Sequence, residues 1–204
     1  MKKIKILLLT VFTMVSVYTV YGQVEVAVGI KGGLNFATVN TSSLNAAYNS
    51  HTGFHAGAFA LFKFTKIGIQ PELVYSQQGS TVKINTQNFN SNFNYLNIPI
   101  LLKLYLVGGL NLQAGPQFGF LMSANGPNGV DVSGNVTTGD IKNQLKSSDI
   151  SVAMGAGWDL PFGLNIDARY NLGTSDINNN ASAQAAKNQV FQLSVGYKLF
   201  KFGK

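Results

Sequence analysis

Residues 164–172 read Leu-Asn-Ile-Asp-Ala-Arg-Tyr-Asn-Leu, and they alternate apolar and polar side chains without a break. Because successive side chains of a β-strand point to opposite faces, this period of two predicts a strand with one apolar and one polar face. The same pattern returns near residues 26–36, 67–76, 96–105, 110–120, 150–159 and 191–199, and more weakly in residues 53–64. The sequence therefore predicts eight strands of about ten residues each, as a minimal transmembrane barrel requires.

The connections between these strands alternate in length. Residues 65–66, 107–109 and 161–163 form tight turns, whereas the segments near 38–52, 79–93, 123–148 and 173–188 are long and rich in Asn, Ser, Thr and Gly. Short turns on one rim and long loops on the other are typical of bacterial outer-membrane barrels, and an even number of strands leaves no free edge in lipid. We expect an all-β fold: an eight-stranded antiparallel up-and-down transmembrane barrel with short periplasmic turns and long extracellular loops.

The composition favours a membrane barrel over a soluble one. Charged residues make up 11% of the 204 residues, whereas soluble domains carry about 25%. A soluble lipocalin-like barrel would need a charged, water-facing set of side chains, but here the polar set is mainly Gly, Asn, Gln and Ser. We expect the apolar set to face lipid and the polar set to fill the lumen. The low charge also disfavours a disordered chain or a nucleic-acid-binding protein.

The first 22 residues have the layout of a secretory signal peptide. Three lysines precede an apolar run over residues 6–20, and the small residue Gly22 stands before Gln23. The alternative is an uncleaved membrane helix, but the run is shorter than the ~20 residues that span a bilayer. We therefore predict a signal peptide at 1–22 and a barrel domain at 23–204. Losing the three lysines lowers the formal net charge from +7 to +4.

The chain contains no cysteine. An exported protein of this composition has no disulfide, thiolate metal site, cysteine nucleophile or N-terminal lipid anchor on cysteine. Its stability has to come from backbone pairing and packing.

Aromatic residues on the apolar phase fall near the strand ends. Such residues form girdles where the barrel wall meets lipid headgroups. The predicted girdle toward the long loops comprises Phe36, Phe54, Tyr75, Phe120, Tyr170 and Phe191, and the girdle toward the short turns comprises Phe62, Trp158 and Tyr197.

Five segments carry a family likeness: residues 70–79, residues 95–103 (Tyr-Leu-Asn-Ile-Pro-Ile-Leu-Leu-Lys), residues 114–120 (Ala-Gly-Pro-Gln-Phe-Gly-Phe), residues 155–170 and residues 196–200. In these segments the chain resembles the PorT-like, or porin-family, outer-membrane β-barrel proteins of Bacteroidota. The resemblance implies an eight-stranded fold in the outer membrane of a Gram-negative bacterium, with outer-membrane lipid and the outer-membrane assembly machinery as partners. Its motifs are strand and turn patterns and carry no reaction signature. One departure is that Gly203 and Lys204 follow the last aromatic residue, Phe202.

Charged residues on the polar phase are the candidates for chemistry. Glu72 and Lys103 lie on neighbouring predicted strands, and Asp167 and Arg169 share one face of a single strand. The full predicted lumen network is Lys31, Glu72, Lys103, Asp167, Arg169 and Lys198. These residues could line a path for ions or solutes, but an eight-stranded interior is just wide enough for side chains to fill it. We therefore expect a plug of paired charges and amides.

No catalytic, cofactor or metal site is expected. His51 and His55 are four residues apart, which on a strand separates them by roughly 13 Å, too far to share a metal ion. A serine hydrolase would need an Asp or Glu partner that the residues near these histidines do not supply. The chain is therefore not expected to be an enzyme.

Specific binding would have to reside in the long loops. Residues 85–94 place Phe89 and Phe93 among amides, a composition that suits an extracellular glycan or protein ligand. The expected function is a structural or surface-interaction role through the extracellular loops. The alternatives are a narrow porin-like channel for small solutes or ions and an outer-membrane enzyme.

Overall fold

The computed structural model describes residues 24–41, 48–84, 87–130, 136–179 and 186–203. The predicted signal peptide lies outside these residues. Nine strands account for most of the described chain: β1 (Val24–Thr41), β2 (Tyr48–Phe64), β3 (Ile67–Ile84), β4 (Gln87–Tyr105), β5 (Leu110–Val130), β6 (Val136–Asp140), β7 (Ser148–Asp159), β8 (Leu164–Gly173) and β9 (Ala186–Phe202). A 3₁₀ turn at Lys142–Gln144 follows β6.

Eight of these strands close into an antiparallel barrel. The order around the wall is β1, β2, β3, β4, β5, β7, β8 and β9, and β9 pairs with β1 to complete the circle. Within the described chain, β6 pairs only with β5 and forms a hairpin outside the circle. The predicted eight-stranded antiparallel up-and-down barrel is confirmed. No helix of the described residues is long and apolar enough to cross a membrane.

The two faces of each strand differ as the alternation predicted. On β8, Ile166 is 45% exposed, whereas Asp167 and Arg169 are 1% and 2% exposed. The same contrast follows the other barrel strands, because large apolar side chains cover the outer wall while amides and charges fill the interior. The apolar surface therefore faces outward, as lipid requires.

The strands are longer than the predicted ten residues. β3 and β4 remain paired as far as Ile84 and Gln87, and β5 and β6 pair from Asn125 to Val130, so much of the expected loop sequence is strand. Beyond the bilayer the outer face no longer has to be apolar, so the alternation that marks a strand disappears although backbone pairing continues.

At the long-loop end the described strands separate into three sheets. The β1–β2 ladder ends at Ala37 and His51, and the β4–β5 ladder ends at Asn92 and Asn125. Above these points β9 pairs with β1, β3 pairs with β2 and β4, and β5 pairs with β6.

An apolar cluster, which we call the cap, occupies the interior at this end. Ile141 and Ile177, from the connections after β6 and β8, are buried against inward-facing side chains of the wall. The Ile141 N–H donates to the Ala124 carbonyl (3.0 Å), and the Ile177 N–H donates to the Ala186 carbonyl (2.9 Å). The other members of the cap are Phe93, Tyr95, Leu121, Ala124 and Ala186, with Leu145 packed at its side.

Candidate functional site

Four charged side chains meet in the middle of the lumen and form what we call the central quartet: Lys31, Glu72, Asp167 and Arg169. Arg169 donates to both carboxylate oxygens of Glu72, Nη1 to Oε2 and Nη2 to Oε1, each at 3.0 Å. Lys31 Nζ lies 3.3 Å from Glu72 Oε1 and 3.4 Å from Asp167 Oδ2. All four side chains are at most 2% exposed. Two cations face two anions, so the quartet is neutral overall.

The quartet spans the full width of the barrel. Glu72 lies on β3 and Arg169 on β8, which are four strands apart in either direction around a circle of eight. A bidentate guanidinium–carboxylate pair has a fixed planar geometry and holds both side chains in place. The direct contact between opposite walls therefore crosses the lumen at this level.

Two glutamines add hydrogen bonds to the quartet. Gln70 Nε2 donates to Glu72 Oε1 (2.7 Å), and Gln113 Nε2 donates to Asp167 Oδ1 (2.8 Å). Arg169 Nη2 also donates to Gln113 Oε1 (3.2 Å). Buried ionic groups need partners for their remaining donors and acceptors. These amides supply three of the contacts, whereas Arg169 Nε has no hydrogen-bond partner among the described residues.

A second group, the mouth cluster, lies at the short-turn end of the lumen. Asp159 is bound by Lys103 through Oδ1 (3.2 Å) and by Lys198 through Oδ2 (3.1 Å). The Tyr105 hydroxyl donates to Asp159 Oδ2 (2.9 Å). Glu25 lies 2.7 Å from Lys198 Nζ and 3.6 Å from Lys201 Nζ. Lys63, with its Nζ 4.0 Å from the centroid of the Tyr105 ring, completes the cluster.

A neutral layer of hydrogen bonds lies on the long-loop side of the quartet. His55 Nδ1 lies 2.8 Å from Asn35 Oδ1, and His55 Nε2 lies 2.8 Å from Ser194 Oγ. Because an amide oxygen can only accept, Nδ1 carries the ring proton and Nε2 accepts from the Ser194 hydroxyl. Gln192 Nε2 also donates to Asn35 Oδ1 (2.8 Å).

The order Ser194–His55–Asn35 matches that of some hydrolases, in which an amide orients the histidine. However, these three side chains are between 0% and 4% exposed, so a substrate carbonyl cannot reach Ser194 Oγ. The arrangement satisfies buried polar groups and is not an accessible catalytic site. Among the described residues, no group of three or more His, Cys, Asp or Glu is placed to hold a metal ion.

Hydrogen bonds also tie the β8–β9 connection to the wall. Ser175 Oγ donates to Asp149 Oδ1, and Asn188 Nδ2 donates to Asp149 Oδ2 (3.2 Å). Asp176, outside the membrane-spanning part of the chain, accepts from the backbone N–H groups of Ala186 (2.9 Å) and Asn178 (3.1 Å). These bonds hold the pKa of the Asp176 carboxyl below its usual range.

The structure places all six residues of the predicted lumen network inside the barrel, but it divides them between two clusters. Glu72 and Lys103 do not bind each other; both bind Gln70, whose Oε1 accepts from Lys103 Nζ (3.1 Å). Asp167 and Arg169 share a face, yet they bind different charged partners. The prediction omitted Glu25 and Asp159, although both lie on the polar phase of their strands and could have been found there.

The residues predicted for the aromatic girdles lie on the outer wall. Among them, Phe54, Phe62, Phe120, Tyr170, Phe191, Trp158 and Tyr197 are exposed. Phe36 and Tyr75 are partly covered because Phe36 contacts Phe191 and Tyr75 contacts Phe54, with ring centroids 6.2 and 5.9 Å apart. Trp158 Nε1 donates to the Gly108 carbonyl in the β4–β5 turn (2.9 Å).

The expectation for Phe93 was wrong. Its ring is 5% exposed and belongs to the cap, so it cannot meet an extracellular ligand directly. The side chain points inward because β4 continues as a regular strand through this segment. The side chain of Phe89 lies outside the described residues.

Comparisons with known proteins agree with this fold. A family model described as "Outer membrane protein beta-barrel domain" matches residues 21–179. The structure of neisserial surface protein A is 12% identical and has a TM-score of 0.52, with 84% of this chain and 97% of that chain covered. Ail, the attachment invasion locus protein of Yersinia pestis, is 16% identical with a TM-score of 0.51 and coverage of 88% and 99%. No curated protein matches the sequence. At these identities the similar structures show the fold alone.

Proposed function

This chain belongs to the outer membrane protein beta-barrel domain family, and from that premise we propose that it is a non-conducting barrel with a structural or surface-interaction role. It spans the outer membrane of a Gram-negative bacterium, and its extracellular strands and loops contact a glycan or protein ligand. The resemblance of its sequence motifs to PorT-like proteins supports a source among the Bacteroidota. Outer-membrane lipid and the assembly machinery are the partners that such a barrel requires.

The central quartet is the observation that carries the proposal. Arg169 and Glu72 join opposite strands across the lumen, and Lys31 connects Glu72 to Asp167. Displacing these groups for a hydrated ion would separate buried charges from their partners, which costs several kcal/mol. A lumen closed in this way supports a role outside solute transport.

The cap supports the same conclusion at the extracellular end. Ile141 and Ile177 are buried against wall residues on the long-loop side. A solute entering from outside would first meet an apolar barrier and then the quartet. The polar surface available for recognition is therefore that of the three extracellular sheets and their loops.

Conductance measured in planar bilayers tests the closed lumen. The unmodified protein, refolded and inserted, should show no steady open-channel current. A Glu72→Ala/Arg169→Ala double variant, which removes the central contact, should conduct measurably more, whereas the loop variant Lys142→Ala should behave like the unmodified protein. A large steady conductance in the unmodified protein would assign the channel function instead.

The proposed surface role is tested on cells. Replacing residues 126–139, the β5–β6 hairpin, with a two-residue Asn-Gly turn should leave the closed barrel intact, because β6 pairs with no barrel strand except β5 in the described chain. Cells with the shortened protein should adhere less to glycan- and protein-coated surfaces than cells with the full protein at equal surface abundance. Equal adhesion would contradict a role for this hairpin.

A further inference from the structure

The mouth cluster carries more positive than negative charge. Among the described residues it contains four ammonium groups, from Lys63, Lys103, Lys198 and Lys201, and two carboxylates, from Glu25 and Asp159. The central quartet, by contrast, matches two cations with two anions. An excess of two positive charges at a partly buried site favours the binding of an anion there.

Of the four lysines in the described part of the mouth cluster, Lys63 is the one without an ion pair. It lies directly opposite Glu25 in the β1–β2 register, but the Glu25 oxygens are already bound by Lys198 and Lys201. Among the described residues, no carboxylate oxygen lies within 4.0 Å of Lys63 Nζ, which rests against the Tyr105 ring. The aromatic ring stabilises the ammonium charge in part, but the ammonium N–H groups remain able to donate hydrogen bonds to an anion.

Lys201 supplies a second cation on the other side of Glu25. Its side chain is 45% exposed, and its only ion pair among the described residues is the long contact of 3.6 Å to Glu25 Oε2. Lys63 interacts electrostatically with Lys201 and Lys198 as well as with the two carboxylates. Lysine ammonium groups at an open, half-buried position are suited to binding phosphate as point charges.

We propose that the short-turn mouth of the barrel binds a small phosphate-type oxyanion between Lys63 and Lys201. The two excess charges match a divalent anion such as hydrogen phosphate or a phosphomonoester. Lys63 alternates with the outward-facing Phe62 and Phe64, so its ammonium faces the lumen and not the acyl chains. This orientation favours a free oxyanion over a lipid headgroup, although the binding chemistry is the same. Phosphate binding at the mouth does not require the lumen to be closed.

Isothermal titration calorimetry on the full barrel, refolded in zwitterionic detergent without phosphate, tests the site with inorganic phosphate. Chloride at equal ionic strength provides the reference. The unmodified protein should bind phosphate saturably, Lys63→Gln should weaken binding about tenfold through loss of one charge-assisted hydrogen bond, and Lys63→Arg should retain it. Lys142→Gln, at the opposite end of the molecule, serves as the matched control.

Folding of each variant is checked by the far-ultraviolet circular-dichroism signal of its β-strands and by the change in its gel mobility on heating. The proposal would be overturned if the folded unmodified protein showed neither saturable binding of free phosphate nor a Lys63-dependent response to phosphatidylglycerol. Phosphate binding that Lys63→Gln and Lys142→Gln weaken equally would also overturn it. In vesicles, the stability of the folded barrel could increase with phosphatidylglycerol in the unmodified protein but not in Lys63→Gln, with no effect of free phosphate. This result would identify the lipid headgroup as the source of the oxyanion. Response to free phosphate in phosphatidylcholine vesicles would identify the soluble ion.

Discussion

Arg169 shows how one side chain can hold a barrel closed. Its guanidinium reaches from β8 to Glu72 on β3 and also binds Gln113 on β5, so it connects three strands that are not neighbours in the wall. Each contact is buried, and the loss of one partner leaves a charge without compensation.

Replacing Arg169 with methionine should destabilise the barrel by about 3–5 kcal/mol, because Glu72 would keep only Lys31 as a cationic partner. The measurement is the urea midpoint of the barrel in detergent micelles. Conductance should change less than stability, because methionine fills part of the vacated volume and the cap remains in place. Adding Glu72→Leu should restore part of the lost stability. A single variant as stable as the unmodified protein would contradict the contribution of this pair.

The lumen residues also show how far sequence reasoning reaches. The alternation on β8 correctly predicted that Asp167 and Arg169 face the lumen, because the two-residue period of a strand can be read from that strand alone. The partners of these residues depend on strand order and on the relative shift of eight strands around the circle, which no single strand encodes. Lys31 therefore could be assigned to the lumen from sequence, but its pairing with both Glu72 and Asp167 could not.

The turn between β4 and β5 sets the geometry of the short-turn rim at the level of the element. Gly108 and Gly109 both have positive φ, 64° and 85°, a region that L-residues with a Cβ rarely adopt. They differ in their surroundings. A Cβ on Gly109 would lie 2.0 Å from the Asp159 carbonyl oxygen, whereas a Cβ on Gly108 would meet nothing within 4 Å.

The matched variants Gly108→Ala and Gly109→Ala should therefore differ. The first should cost about 1–2 kcal/mol, the usual penalty of an L-residue in the left-handed region, and the second should cost more because the β5–β7 ladder has to move. Unfolding by urea followed by tryptophan fluorescence gives both values, since Trp158 binds the Gly108 carbonyl. Equal losses would contradict the close approach at Gly109.

The cap depends on two isoleucines from connections between strands. Ile177→Ala should remove buried methyl groups from the cap, with a local loss of about 2–5 kcal/mol. Because these residues lie outside the closed ladder of the wall, we expect faster amide hydrogen exchange in residues 141–145 and 174–179 but unchanged protection in β7 and β8. Loss of protection throughout the barrel would show instead that the cap and the wall unfold together.

The strand ends at this side were the least predictable elements. In β3 and β4 the pairs from Gly79–Asn92 to Ile84–Gln87 use Asn, Ser, Thr and Gln with little apolar alternation, so composition indicated a loop. Cross-strand backbone hydrogen bonds nevertheless continue there. Hydropathy detects which face meets lipid, and it carries no signal once both faces meet water.

At the scale of the whole molecule, the chain divides into a predicted export signal and a barrel. If residues 1–22 are removed on export, mass spectrometry of protein from the outer-membrane fraction should give a mature chain that starts at Gln23. A mutation of Gly22 to a bulky residue such as Trp should slow this processing, because the site requires small residues. A mature chain that retains residues 1–22 would contradict the prediction.

The pairing of Arg169 with Glu72 also bears on how the barrel assembles. In an open sheet with the same strand order, β3 and β8 are separated by β4, β5 and β7, so the two side chains would stand roughly 19 Å apart at about 4.8 Å per strand. The two side chains can meet only when β9 pairs with β1 and the barrel closes. An incomplete sheet would leave these charges unpaired. The ion pairs would all form when the β9–β1 ladder forms, so their stabilising free energy is gained in a single step. The ion pairs therefore make closure cooperative and disfavour half-rolled intermediates.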